Sequence, residues 1–98
     1  MAEQRFAGQV AVLTGGVSGI GLGIAERLAG EGAKLALWDM NAEALAREGA
    51  RLSAHTEVAD MSNAEDVQRA ADATVAACGR IDIVIASAGI TGPNTTVW

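Results

Sequence analysis

Residues 10–21 of this chain read Val-Ala-Val-Leu-Thr-Gly-Gly-Val-Ser-Gly-Ile-Gly. The apolar run at 10–13 is typical of a strand buried on both faces, and the apolar residues repeating every four positions over 20–28 predict a helix. The glycines between them allow positive φ and leave room for a phosphate, which the unpaired N–H groups of a helix N-terminus can bind. This succession of strand, glycine-rich turn and helix predicts a dinucleotide site.

A glycine-rich turn can also serve only the tight packing of a helix on a strand, so a second signal is needed. The next predicted strand provides one, because it covers 34–39 and ends in Asp39, eighteen positions after Gly21. A carboxylate at that distance can accept hydrogen bonds from the adenosine ribose. The alternative is that Asp39 only closes the turn with Asn41.

Three motifs resemble those of the short-chain dehydrogenase/reductase family, and together they cover almost the whole chain. Residues 14–21 match Thr-Gly-x-x-x-Gly-Ile-Gly at every fixed position. Asp60-Met61 follows a short predicted strand, and residues 86–89 read Ala-Ser-Ala-Gly where the family has Asn-Asn-Ala-Gly. The resemblance implies a Rossmann-like fold, a nicotinamide cofactor and hydride transfer to or from an alcohol or ketone.

The resemblance also implies a set of cofactor-binding residues, in which Asp60 binds the adenine amino group. Both asparagines of the family's last motif are replaced here, so the contacts implied at that turn are those of the backbone. The predicted cofactor-binding residues are Gly15, Ser18, Gly19, Ile20, Gly21, Asp39, Asp60, Met61, Ser87, Ala88 and Gly89. No catalytic residue can be assigned, because the family uses Ser, Tyr and Lys and this chain contains no tyrosine.

Asp39 further predicts which cofactor binds. The 2′-phosphate of NADP would place an anion against this carboxylate, and a nearby arginine or lysine would be needed to compensate. The residues after Asp39 are Met40, Asn41 and Ala42, none of which is basic. We therefore expect NAD.

The remaining pattern predicts alternating strands and helices. We place strands at 9–14, 34–39, 55–58 and 81–87, and helices at 19–31, from the N-cap Asn41 to about 51, and from a capping box at 62–65 to Gly79. Connections of this length form right-handed parallel crossovers. The expected fold is an α/β, doubly wound parallel sheet of order 3-2-1-4, with its ligand crevice at the carboxyl ends of the strands.

Composition limits the other possibilities. The 98 residues suit one small domain, and the formal net charge of −5 without a basic cluster argues against nucleic acid. No apolar run approaches the roughly 20 residues that span a bilayer. The single cysteine, Cys78, permits no intrachain disulfide, which favours the cytoplasm, and we expect it to be a buried, inert thiol. The lone His55 has no partner ligands, so we expect no metal site.

Two functions remain open at this stage. In the first, residues 1–98 are the NAD-binding half-domain of a longer dehydrogenase that acts on an alcohol or carbonyl substrate and is a homo-oligomer, as the resemblance implies. In the second, the chain is a nucleotide-binding module without catalysis, which the missing tyrosine favours for these 98 residues. The chain by itself is expected to be inactive. A methyltransferase is a distant third, and a P-loop nucleotidase is excluded because no Gly-Lys-Ser/Thr occurs.

Overall fold

The computed structural model describes residues 7–15 and 19–86. In chain order its elements are β1 (Val10–Thr14), α1 (Gly19–Gly30), β2 (Lys34–Asp39), α2 (Ala42–Leu52), β3 (His55–Val58), α3 (Ala64–Cys78) and β4 (Ile83–Ala86). The strands form one sheet in the order β3-β2-β1-β4, and every pair is parallel. The predicted α/β fold and its strand order are therefore confirmed.

Helices cover both faces of this sheet. Side chains alternate along β1, so Leu13 packs on one face with Leu28 of α1 and Leu45 of α2. Val12 packs on the other face with Trp38 and with Ala70 of α3. Because both faces are covered, the central strands have buried apolar runs at 10–13 and 35–38, which is the pattern that made them recognisable in the sequence.

Glycine ends the first helix by a defined backbone motif. Gly32 has φ of 92° and donates its N–H to Ala29 O at 3.1 Å, and Ala33 N–H reaches Leu28 O at 3.1 Å. This pair of bonds satisfies carbonyls that the helix end would otherwise leave unpaired. The chain then turns directly into β2, whose last residue is Asp39.

The start of α3 differs from the capping box predicted at 62–65. The N-cap is Asn63, whose side chain accepts the Asp66 N–H at 3.1 Å, and the helix begins at Ala64. Ser62 does not cap the helix because its N–H and hydroxyl both bind Asp60. The predicted end at Gly79 is confirmed, since Gly79 has φ of 92° and donates its N–H to Val75 O.

Two further expectations need correction. β4 begins at Ile83 rather than Ile81, and just before it Asp82 binds Val10 twice: its side chain accepts the Val10 N–H at 2.8 Å, and its N–H donates to Val10 O at 2.9 Å. Cys78 is partly exposed rather than buried. Among the helices of residues 19–78, none is long and apolar enough to cross a bilayer.

Candidate functional site

The carboxyl ends of three strands are joined by backbone hydrogen bonds. Gly15, which follows β1 and has φ of 70°, donates its N–H to Trp38 O of β2 at 2.7 Å. One residue further along, Asp39 O accepts the Ala59 N–H at 3.0 Å, just beyond β3. These bonds set the spacing between the glycine turn and the two acidic residues that follow β2 and β3.

A cavity of about 260 Å³ opens at this edge of the sheet. It is lined by Gly15, Asp39, Met40, Ala59, Asp60, Met61 and Ser62. Four of these, Gly15, Asp39, Asp60 and Met61, were predicted from the sequence, although they come from three separate stretches of it. The topology brings them together because the strands are parallel and end at the same edge.

The side chain of Asp39 makes the turn bond that the sequence suggested as an alternative role. Its Oδ1 accepts the Asn41 N–H at 3.0 Å, and Asn41 in turn caps α2 by accepting the Ala44 N–H at 2.9 Å. Asp39 therefore closes the turn, as the alternative interpretation held. The turn uses one lone pair of one oxygen, and a carboxylate has further acceptor sites. Closing the turn and binding a ribose are thus compatible roles.

Asp60 is held in a similar turn at the end of β3. Its Oδ1 accepts the Ser62 hydroxyl at 2.6 Å and the Ser62 N–H at 2.9 Å. The Ser62 hydroxyl, and then its N–H, hold the pKa of Asp60 below its usual value, because both stabilise the charged form. Asp60 is therefore an anion at neutral pH, and a carboxylate accepts a stronger hydrogen bond from an amino group than a neutral carboxyl does.

The two turns are local copies of each other. The first reads Asp-Met-Asn-Ala-Glu over 39–43 and the second Asp-Met-Ser-Asn-Ala-Glu over 60–65, and each joins a strand end to a capped helix. Both methionines line the cavity: Met40 is 67% exposed, while Met61 packs against the core beneath. Motif matching missed Met40 and Ser62; the internal repetition of Asp-Met could have identified Met40, whereas Ser62 has no counterpart in the first turn.

Together the turns offer two carboxylate acceptors and two apolar thioethers. Such a set suits a ligand that has both hydroxyl or amino donors and a flat apolar ring, because thioethers adapt to irregular surfaces and pack on aromatic rings. A nucleoside has both properties. Gly15 brings its backbone to the same cavity.

Of the other predicted residues, those that the structure describes are not among the seven named as lining the cavity. Gly19 and Ile20 form the first turn of α1, and Gly21 follows them and is buried. Ser18, Ser87, Ala88 and Gly89 lie outside the described residues. In the described part of the chain, no group of three or more His, Cys, Asp or Glu side chains could hold a metal ion.

His55 lies on the edge strand β3 and is not among the residues that line the cavity. Its Nε2 is 2.6 Å from Glu57 Oε2, and the side chain is partly buried. The structure thus gives the lone histidine one carboxylate neighbour.

Comparison with known proteins agrees with the geometry. The family model described as short chain dehydrogenase matches residues 9–97. The chain is 46% identical over 95 residues to 2-dehydro-3-deoxy-L-rhamnonate dehydrogenase (NAD(+)) of Sphingomonas sp. (strain SKA58), covering 96% of this chain and 38% of the relative. It is 48% identical over 91 residues to D-threitol dehydrogenase of Mycolicibacterium smegmatis, covering 88% and 35%.

Solved structures of dehydrogenases also resemble the chain. A xylitol dehydrogenase with NAD+ bound superposes with a TM-score of 0.79 at 39% identity, over 82% of this chain and 33% of that one. A short chain dehydrogenase/reductase from Burkholderia phymatum in complex with NAD gives 0.78 at 39% identity, over 82% and 30%. The chain thus spans about a third of the length of the proteins it matches.

Proposed function

This chain belongs to the short chain dehydrogenase family, and on that premise we propose that residues 1–98 form the N-terminal, NAD-binding part of a longer dehydrogenase. The observation that carries the proposal is the cavity that unites Gly15, Asp39 and Asp60 at the carboxyl ends of β1, β2 and β3. The whole enzyme would catalyse hydride transfer between the nicotinamide and an alcohol or ketone. The cofactor supplies the hydride chemistry, and the protein supplies binding and orientation.

The residues present fit the adenosine half of a dinucleotide. Asp39 would accept hydrogen bonds from the ribose hydroxyls, and Asp60 would accept one from the adenine amino group. Met40 and Met61 would pack against the ring. Gly15, Gly19 and Gly21 would let the backbone and the N-terminus of α1 approach the pyrophosphate, and we assign Ser18, Ile20, Ser87, Ala88 and Gly89 to the cofactor by the resemblance of their motifs.

NAD is the cofactor that this site favours over NADP. The carboxylate of Asp39 would face the 2′-phosphate of NADP, and none of the seven described residues that line the cavity is basic. Two observations on related proteins support the choice. One relative is named as using NAD(+), and two similar structures hold NAD.

The setting of the whole protein follows from the same premise. We propose a small-molecule alcohol or carbonyl substrate, since the related proteins include a threitol and a xylitol dehydrogenase. The protein would act in the cytoplasm as a homo-oligomer, dimer or tetramer. Its Ser-Tyr-Lys catalytic set would lie outside the present sequence, which contains no tyrosine.

The test is direct titration of the full-length protein with NAD, using Gly19→Val and Gly23→Val as a matched pair in α1. A Cβ at Gly23 meets nothing within 4 Å, so the second variant changes the same helix away from other groups. We expect Gly19→Val to abolish NAD binding measured by calorimetry while its circular dichroism stays native. Gly23→Val should bind as the wild type does.

Two results would contradict the proposal. A folded Gly19→Val protein with wild-type NAD affinity would mean that the glycine turn serves packing only. A full-length protein that binds NAD but oxidises no member of a panel of secondary alcohols, and whose NADH reduces none of the matching ketones, would favour the non-catalytic nucleotide-binding module.

A further inference from the structure

Asp66 reaches back from the first turn of α3 to the end of β3. Its Oδ2 accepts the backbone N–H of Asp60 at 2.7 Å, and its Oδ1 accepts Arg69 Nε at 2.8 Å. The carboxylate of Asp66 thus bridges a donor on the cavity wall and a donor on its own helix. The bond to Asp60 spans six residues and is separate from the cap that Asn63 provides.

Arg69 also binds β3 directly. Its Nη2 donates to Val58 O at 2.8 Å, and its Nη1 lies 3.1 Å from Glu57 Oε1. Asp66 and Arg69 therefore hold the chain on both sides of Ala59, which is buried and lines the cavity. An arginine is suited to this because its planar fork can bind several acceptors at once.

The pair is fully charged at neutral pH. The Asp60 N–H, and then Arg69, hold the pKa of Asp66 below its usual value. Asp66, and then Glu57, raise the pKa of Arg69. Because both groups are charged, the hydrogen bonds between them and to the strand end are of the stronger, charge-assisted kind.

We propose that Asp66, oriented by Arg69, is a positioning residue that aims Asp60 and Met61 at the adenine ring. This inference rests on the proposed function, in which the cavity takes the adenosine half of NAD. Asp60 is held by two hydrogen bonds: its side chain accepts the Ser62 N–H, and its own backbone N–H donates to Asp66. With both bonds in place, the Asp60 carboxylate is fixed before the cofactor arrives, and the ordering entropy of binding is reduced.

The inference is tested by discrimination between NAD and nicotinamide hypoxanthine dinucleotide. The second compound carries a carbonyl oxygen where adenine has its amino group, so it offers Asp60 an acceptor instead of a donor. The full-length protein should bind NAD at least about tenfold more tightly, as expected for a hydrogen bond to a charged group. The dissociation constant of the hypoxanthine compound divided by that of NAD is the discrimination ratio. This ratio reports on the orientation of the Asp60 carboxylate, whereas a loss of overall stability weakens the binding of both compounds equally.

Variants at Asp66 should lower this ratio selectively. Asp66→Ala, and the milder Asp66→Ser whose hydroxyl is too short to reach the Asp60 N–H, should reduce the ratio of dissociation constants about tenfold. Asp66→Asn should retain most of it, because the amide oxygen can still accept that N–H. Glu65→Ala is the matched control, since it removes an exposed acidic residue from the same helical turn.

A double variant then asks whether the two aspartates act together. Once Asp60→Ala has removed the discriminating carboxylate, adding Asp66→Ala should change the ratio no further. Independent, additive losses in the double variant would overturn the positioning role.

The remaining outcomes separate this inference from the function on which it rests. Folded Asp66→Ala and Asp66→Ser proteins that keep the wild-type ratio, even with a lowered melting temperature, would show a purely structural role and overturn it. A wild type that binds NAD with a ratio near one would overturn the aim of Asp60 while NAD binding stands. A wild type that binds neither compound would overturn the proposed function itself.

Discussion

At the scale of single residues, Asp39 and Asp60 show how a turn-forming aspartate can also be a ligand. Each uses Oδ1 to bind the residue two positions on, Asn41 and Ser62 respectively. The turn bond orients the carboxylate and leaves other lone pairs for a partner in the cavity. The structural and the functional interpretations of such a residue are therefore not exclusive.

The buried pair Trp38 and Thr74 gives a test of how the neighbourhood of Asp39 is held. Trp38 Nε1 donates to Thr74 Oγ1 at 3.0 Å, and Thr74 is fully buried. Thr74→Val keeps the shape but leaves the indole N–H without its acceptor, so we expect the free energy of unfolding to fall by about 1–3 kcal/mol. Urea denaturation followed by circular dichroism measures this.

Thr74→Ser is the control for that change, because it keeps the hydroxyl and removes only a methyl group. We expect it to retain the greater part of the stability that Thr74→Val loses. Equal losses in the two variants would mean that packing, and not the hydrogen bond to Trp38, sets the effect.

Asp82 predicts how stability depends on pH. The Val10 N–H, and then Arg80, hold the pKa of Asp82 below its ordinary 3.8. A carboxyl with a lowered pKa in the folded state stabilises the fold above its unfolded pKa, and the contribution is lost as the pH falls through the folded value. As the pH falls below about 5, the melting temperature of the wild type should therefore fall more steeply than that of Asp82→Asn.

Asp72→Asn serves as the charge-matched control for the pH series, since Asp72 lies on α3 with an exposed bond to Gln68. Its melting curve should follow the wild type through the same acid range. Parallel curves for the wild type and Asp82→Asn would show that the bond to the Val10 N–H makes no pH-dependent contribution.

At the scale of elements, Gly49 shows why α2 lies so close to β3. A Cβ placed at Gly49 would lie 2.5 Å from Cγ2 of Thr56. Alanine is the better helix former by about 1 kcal/mol, yet we expect Gly49→Ala to lower the free energy of unfolding by about 1–3 kcal/mol because the helix and strand must separate.

Two matched variants isolate the contact between Gly49 and Thr56. In a Thr56→Ser background the clashing methyl is absent, so Gly49→Ala should be neutral or stabilising there. Gly23→Ala, in open space on α1, should be stabilising by about 0.5–1 kcal/mol. If Gly49→Ala stabilises the protein that retains Thr56, close packing is not the reason for the glycine.

At the scale of the whole molecule, the fold was predictable because strands and helices alternate along the sequence. The predicted bounds of β2 and β3 are those of the structure, and the alternation with helices led to the parallel order. The cavity followed from topology, since three strand ends meet at one edge. Ser18 and residues 87–89 lie outside the described part, and their roles stay predictions.

The features that the sequence did not predict depend on competition between neighbours. Both Ser62 and Asn63 are residue types that can cap a helix. Asn63 is the cap here because the N–H and the hydroxyl of Ser62 are both bound to Asp60. Asp82 was predicted inside a strand, because no sequence pattern indicates that its side chain accepts the Val10 N–H. The link from Asp66 to Asp60 joins a helix to the strand before it, which periodicity alone does not reveal.

The central claim is that Asp39 selects NAD by accepting hydrogen bonds from the ribose. Because Asp39 also closes a turn with Asn41, a control variant must alter Asn41 and leave the Asp39 carboxylate unchanged. Asn41→Ala removes the cap of α2 and should lower the free energy of unfolding by about 1 kcal/mol. It leaves the Asp39 carboxylate and the Asn41 N–H in place, since only the side chain changes. The cofactor preference of this variant should therefore equal that of the wild type.

The most direct measurement is the ratio of kcat/KM for NAD over NADP in the full-length enzyme and in Asp39→Ala. We predict that the wild type favours NAD by about 1–3 kcal/mol, because NADP loses charge-assisted hydrogen bonds and brings a phosphate against a carboxylate. The ratio should fall at least about tenfold in Asp39→Ala. A wild-type ratio near or below one, or a ratio that Asp39→Ala leaves unmoved, would contradict the account.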